Sequence, residues 1–215
     1  ICDATSEIER LFPNGRLDRV LLVAPPDTDV SMFNYETAKR GRYWNFPPYG
    51  LGIIASHLRA DGVMAEILNL NHQVLRACRL STSNKNFDFD SVWSEALRDK
   101  IETFQPGVIG VTCMFTQTHR STVSVCNTIR GLFENIPIAL GGVHITNSFI
   151  DKNISSRIIS SFSAVDLFFL FEAELAFRQF VKVINGLDTV DTLRQVYFNT
   201  TGGGPYFSDK MTPTE

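Results

Sequence analysis

Ile138-Ala139-Leu140-Gly141-Gly142-Val143-His144-Ile145-Thr146 is the stretch on which the fold turns. A short apolar run ends in two glycines and passes into residues suited to starting a helix. Such a run is what a strand buried on both faces of a parallel sheet looks like. Open α/β sheets hold their ligands beyond the carboxyl ends of the strands, and a diglycine there clears two side chains from the path of a ligand.

Four further apolar runs read as strands: Arg19-Val20-Leu21-Leu22-Val23-Ala24, Ala65-Glu66-Ile67-Leu68-Asn69-Leu70, Val108-Ile109-Gly110-Val111-Thr112-Cys113 and Val165-Asp166-Leu167-Phe168-Phe169-Leu170. Helical spacing is read from Pro47-Pro48-Tyr49 to about Asp61-Gly62, with Leu51, Ile54, Ala55 and Leu58 as its apolar stripe. Further helices are expected at about Ser91 to Phe104, Thr118 to Phe133, Ser148 to Ser161 and Glu174 to Ile184. The alternation predicts an α/β fold: a five-stranded parallel, doubly wound sheet of order 2-1-3-4-5, flavodoxin- or Rossmann-like. Val196-Tyr197-Phe198 and Tyr206-Phe207, on either side of Asn199-Thr200-Thr201-Gly202-Gly203-Gly204, suggest a short C-terminal β-hairpin. Residues 1–17 read as a polar lead-in, 18–187 as the main domain, and 188–215 as hairpin and linker.

The chain has 215 residues and a mass of 24.1 kDa, 44% apolar and 20% charged, enough for one well-buried domain. A net charge of −3 lacks the basic footprint of a nucleic-acid or anionic-membrane binder. No apolar run approaches the roughly 20 residues that span a bilayer. The opening Ile1-Cys2-Asp3-Ala4 has neither an initiator Met nor a signal pattern, so a piece of a longer protein is expected. Cys2, Cys78, Cys113 and Cys126 lack the short spacings of a zinc or iron–sulfur site and read as free thiols in a reducing cytoplasm.

The crevice argument selects the loops after strands 1, 3, 4 and 5. The first has no glycines, which argues against a dinucleotide fingerprint, and no Gly-Lys-Ser/Thr phosphate loop occurs in the chain. Gly-x-Ser-x-Gly and His-Glu-x-x-His are likewise missing. Asp27 and Asp29 are placed as in a phosphoreceiver pocket, but Thr112-Cys113-Met114 stands where the phosphoacceptor Asp would be. His144 reads as a capping or packing residue, with a ligand or base role as the rival. Glu172 and Glu174 read as first-turn carboxylates of a helix, with hydrogen bonding to a ligand as the rival. The long loop bearing Phe33, Tyr35, Tyr43 and Trp44 is open to three readings: lid, stacking surface or packing face.

In order along the chain, Arg19-Val20-Leu21-Leu22-Val23-Ala24-Pro25-Pro26, Pro47-Pro48-Tyr49-Gly50-Leu51, Pro106-Gly107-Val108-Ile109-Gly110-Val111-Thr112, Gly141-Gly142-Val143-His144-Ile145-Thr146 and Asp166 to Phe171 with Glu172-Ala173-Glu174 resemble a known set. It is that of the amino-terminal cobalamin (B12)-binding domain of B12-dependent radical S-adenosylmethionine (SAM) enzymes. The resemblance covers about residues 18–207. It implies a cobalamin-binding module with the corrin across the carboxyl edge of the sheet and the nucleotide tail beside the strand 4 loop. It implies cofactor contacts from Pro25, Pro26, Asp27, Tyr49, Gly50, Leu51, Thr112, Cys113, Met114, Phe115, Gly141, Gly142, Val143, His144, Phe171, Glu172 and Glu174. No catalytic residue and no protein ligand to the metal are implied, because Asp27-Thr28-Asp29-Val30 lacks the Asp-x-His-x-x-Gly pattern that supplies a histidine to cobalt. The partner implied is a radical SAM barrel of the same parent chain, a methyltransferase or an enzyme of related radical chemistry, holding a [4Fe–4S] cluster and S-adenosylmethionine. One departure stands out: Phe171-Glu172-Ala173-Glu174 replaces the usual Gly-Glu-Gly-Glu. Two alternatives follow, a degenerate domain that only packs against a partner and a flavodoxin-like nucleotide or flavin binder.

Overall fold

The computed structural model describes residues 3–200 and 203–210. Its sheet contains β1 (Arg19–Ala24), β2 (Met64–Asn69), β3 (Val108–Thr112), β4 (Ile138–Gly141), β5 (Leu167–Phe169), β6 (Val196–Phe198) and β7 (Tyr206–Phe207), in the order β2-β1-β3-β4-β5-β6-β7. Pairing is parallel from β2 to β5 and antiparallel from β5 to β7. The sheet therefore has seven strands rather than five, because the terminal hairpin is not a separate appendage. Val196 and Phe198 are fully buried, and β6 extends the sheet by pairing with β5.

Nine helices are described: α1 (Ala4–Leu11), α2 (Tyr35–Lys39), α3 (Tyr49–Ala60), α4 (Leu70–Leu80), α5 (Phe89–Phe104), α6 (His119–Leu132), α7 (Val143–Phe149), α8 (Lys152–Ser161) and α9 (Glu174–Ile184). The lead-in contains α1, capped by the Asp3 side chain, and buries Ala4, Leu11 and Phe12 in the core. The helix expected at Ser148 to Ser161 is two, and the first begins directly after Gly142. α4 follows β2 without a linker: Asn69 ends the strand and caps the helix by accepting from the His72 N–H at 3.0 Å.

Strand alternation divides the core. Val20, Leu22, Val108, Ala139, Leu167 and Phe169 face α1, α3 and α9. Leu21, Val23, Ile109, Val111, Ile138, Leu140 and Phe168 face the other way, against residues of α4 to α8. On the first face, α3 and α9 are tied near the C-terminal end of α3, where the Arg178 guanidinium grips the Asp61 carboxylate with two hydrogen bonds of 2.5 Å. That pairing holds the Asp61 carboxyl below the usual carboxylate range. Among the described residues, no helix is long and apolar enough to cross a membrane.

Candidate functional site

The parallel register places small residues side by side at the carboxyl end of the α3/α9 face. Gly110 lies beside Ala139, and Thr112 beside Gly141. Side chains this small cannot fill the space under the first turns of α3 and α9, and a cavity of about 340 Å³ remains. Ile53, Ile54, Phe169 and Phe177 give it apolar walls, and Thr112, Glu172 and Glu174 bring polar groups to it. An apolar hollow with few polar groups, near the lower end of the usual size range, is the common form of a small-molecule site.

The two glycines serve different ends. Gly142 has φ +114, and a Cβ there would lie 2.8 Å from the Cys113 carbonyl carbon and 3.0 Å from its nitrogen, with the carbonyl oxygen nearer still. Backbone bonds hold the two loops at this range: Cys113 N–H donates to Gly141 O at 2.8 Å and His144 N–H to Cys113 O at 3.2 Å. Gly142 is therefore demanded by the chain itself. Gly141 has an ordinary φ, and a Cβ on it would meet the Phe169 carbonyl oxygen at 3.3 Å. Both glycines line the cavity.

The helices around the cavity start without caps. α1, α2, α4 and α5 each have an Asp or Asn accepting from a first-turn N–H. α3, α7 and α9, which begin at the cavity after Pro48, Gly142 and Ala173, have no side-chain cap. Elsewhere α6 also lacks one. The positive ends of these helices at the cavity suit oxygen acceptors and negative charge.

The residues expected at the site separate into two groups. Tyr49, Gly50, Leu51, Thr112, Met114, Gly141, Gly142, Val143, Phe171, Glu172 and Glu174 line the cavity. Pro25, Pro26, Asp27, Cys113, Phe115 and His144 do not. Pro25 and Pro26 are buried, and the Pro26 carbonyl accepts from the Ser121 hydroxyl of α6 at 2.6 Å. Asp27 is tied to Asn71 by a pair of hydrogen bonds, 2.8 Å to its carboxylate and 3.3 Å from its own N–H, and burial raises its pKa. Cys113 belongs to the opposite core, where burial pushes its thiol up. Phe115 stays outside the hollow, 59% exposed.

His144 packs against a second histidine, His119. Its Nε2 sits 3.1 Å from Nδ1 of His119, and its Nδ1 sits 3.3 Å from the Thr116 hydroxyl. Burial lowers both imidazole pKa values, and for His119 the neighbouring His144 adds to the effect. The aromatic loop also divides. Phe33 stacks on Tyr43 with centroids 5.6 Å apart and packs inward, whereas Trp44 and Phe46 stack on each other at 5.7 Å while 75% and 70% exposed. Asn71 and Asn69 hold that outer pair by donating to the Trp44 and Phe46 carbonyls at 3.4 and 3.5 Å.

Sequence reasoning missed Pro48, Ile53, Ile54, Phe169 and Phe177. Strand parity could have found Phe169, since it faces the same side as Leu22 and Ala139. The helical residues follow from adding one or two turns beyond the site loops.

Phe171 adopts a left-handed backbone with φ +61, a conformation that costs an ordinary residue about 1–2 kcal/mol.

A profile of the B12 binding domain matches residues 42–153, just over half of the chain. No curated protein matches it. Among solved structures, the radical S-adenosylmethionine methyltransferase TsrM from Kitasatospora setae, with cobalamin and a [4Fe–4S] cluster bound, superposes with a TM-score of 0.65 at 15% identity. That match covers 93% of this chain and 30% of TsrM. The cobalamin-dependent S-adenosylmethionine radical enzyme OxsB, with aqua-cobalamin and S-adenosylmethionine bound, matches with a TM-score of 0.59 at 15% identity, over 94% of this chain and 24% of OxsB. At such identities the structures show a shared fold, and the chain spans less than a third of the length of either. Cavity, diglycine turn and profile agree: the chain belongs to the B12-binding domain family.

Proposed function

We propose that this chain binds cobalamin, with the nucleotide tail in the α3/α9 cavity and the corrin across the carboxyl edge of the sheet. It does so as the cobalamin-binding module of a longer radical SAM enzyme, a methyltransferase or one of related radical chemistry. The observation that carries the reading is the apolar cavity bordered by Gly141 at the carboxyl end of β4. Its walls suit a flat aromatic base, and the uncapped amides at Tyr49 and Glu174 suit a phosphate. Trp44, Phe46, Met114 and Phe115, between 43% and 75% exposed, form apolar surface that a corrin would cover.

Cobalamin, when bound, supplies alkyl transfer at its cobalt. The chain's own residues bind and orient it, and none is assigned as a ligand to the metal: the loop after β1 carries no histidine, and His144 bonds to His119. The [4Fe–4S] cluster and S-adenosylmethionine belong to the barrel of the longer chain. The described cysteines, Cys78, Cys113 and Cys126, are buried free thiols, which supports a reducing, cytoplasmic setting.

One observation favours the rival reading of a domain that only packs: Phe171 and Ala173 both line the cavity where the resemblance implies glycine. Melting with and without hydroxocobalamin separates the two. At a hundredfold excess over Kd the cofactor should stabilise the fold by about 2.7 kcal/mol, or about 5–10 °C for a domain of this size. The shift should vanish in Gly141→Trp. A wild-type protein whose Tm does not move would favour the packing role.

A further inference from the structure

Arg76 and Arg79 lie one turn apart on the exposed face of α4. Among the described residues neither has an ion pair, although the chain carries 23 acidic residues against 20 basic ones. Like charges at this spacing weaken a helix. Cations near a helix C-terminus ordinarily answer its negative end. Here Lys39 of α2 fills that role: its Nζ donates to the carbonyls of Arg79 at 2.8 Å and Cys78 at 3.4 Å, and to that of Ser81. The two arginines are thus spare for another anion.

They border a cavity of about 270 Å³, lined also by Asn45, His72, Leu75 and Leu80, and no carboxylate lines it. Asn45 Nδ2 lies 2.8 Å from His72 Nδ1. An amide nitrogen only donates, so Nδ1 accepts and the neutral His72 ring carries its proton on Nε2, as a further donor. Gly41, at φ +67, lets the Arg79 guanidinium lie against the backbone, since a Cβ there would meet its Nη2 at 3.3 Å. Leu75, buried, and Leu80, 74% exposed, add apolar surface beside these donors.

We propose that this cavity is a second binding site, for an oxyanion carried on a small apolar body: a phosphate monoester or a carboxylate. Two guanidinium groups and an imidazole N–H supply the donors, and a guanidinium matches phosphate and carboxylate oxygens in pairs. The leucines and the arginine stems cover the apolar part. The site shares no lining residue with the α3/α9 cavity and does not depend on what that cavity holds.

The test is isothermal titration of the chain with phenyl phosphate, benzoate and inorganic phosphate at constant ionic strength, repeated on Arg76→Gln, Arg79→Gln and Arg98→Gln. Arg98 is an exposed residue of α5 outside the cavity, so its variant removes the same charge elsewhere. Glutamine keeps the helix propensity of arginine, and all three variants should melt as wild type does. Phenyl phosphate or benzoate should bind with a Kd below about 1 mM, and the tighter of the two identifies the head group. Inorganic phosphate should bind more weakly. Arg76→Gln and Arg79→Gln should each lose roughly tenfold, and Arg98→Gln nothing. No saturable binding of either organic probe overturns the site, as does binding that survives both cavity variants. An equal loss in Arg98→Gln reduces the effect to general charge attraction and overturns it too. Inorganic phosphate binding as tightly as phenyl phosphate overturns the role given to the leucines.

Discussion

Replacing Gly142 with alanine should damage the fold, whereas the same change at Gly141 should not. At position 142 the new Cβ would fall 2.8 Å from the Cys113 carbonyl carbon, with the oxygen closer, and every atom it meets is backbone that cannot swing away. Forcing such a contact costs about 1–3 kcal/mol. Placing a residue with a Cβ at φ +114 adds about 1–2 kcal/mol. The sum, about 2–5 kcal/mol, is a large part of a typical domain's stability and corresponds to a Tm lower by roughly 4–20 °C. At Gly141 the nearest atom is the Phe169 oxygen at 3.3 Å and φ is ordinary, so the cost should stay below about 1 kcal/mol. Thermal melts of Gly142→Ala and Gly141→Ala by circular dichroism decide the matter. If Gly142→Ala melts within about 2 °C of wild type, the assignment of this glycine to the backbone is wrong.

Acidification offers a second probe, through the His119–His144 pair. Both imidazole pKa values are depressed in the folded state, so the unfolded chain takes up protons first as the pH falls through the normal histidine range. Stability should therefore be full above that range and decline below it, and His144→Gln should flatten the decline in melts taken across it. Asp27 behaves in the opposite sense: its pKa is raised by burial, so stability falls as the pH rises from the ordinary carboxylate value to the folded one, above which the cost of burying the charge is complete. Asp27→Asn, which can keep the bond to Asn71, should accordingly melt higher than wild type at neutral pH and lose that advantage in acid.

Legibility followed how local each signal is. β1 and α9 lie where the apolar run Arg19–Ala24 and the pattern Glu174–Ile184 place them, because a buried strand and an amphipathic helix are both written in consecutive residues. α4 carries Leu70, Val74, Leu75 and Cys78 at helical spacing but was hidden by polar residues between them and by a cap, Asn69, that doubles as the last strand residue. α1 looked like a tail because only a few of its side chains are apolar, yet it seals the end of the core near Phe180 through Phe12. The union of hairpin and sheet depends on β5 and β6 meeting across more than twenty residues, which no local pattern records. At the site, the loops were readable as strand ends; those after β3, β4 and β5 line the hollow, and that after β1 does not. The His119–His144 pair and the hydrogen bond from the Gln195 side chain to the Leu170 carbonyl join positions 25 residues apart and exist only once the chain is folded.

The most direct measurement is equilibrium dialysis of the purified chain against hydroxocobalamin at tens of micromolar, followed through the corrin absorbance. Retention of one equivalent per chain by the wild type, and its loss in a Gly141→Trp variant that keeps its fold, is the predicted result. No retained corrinoid on a folded wild-type chain would contradict the account.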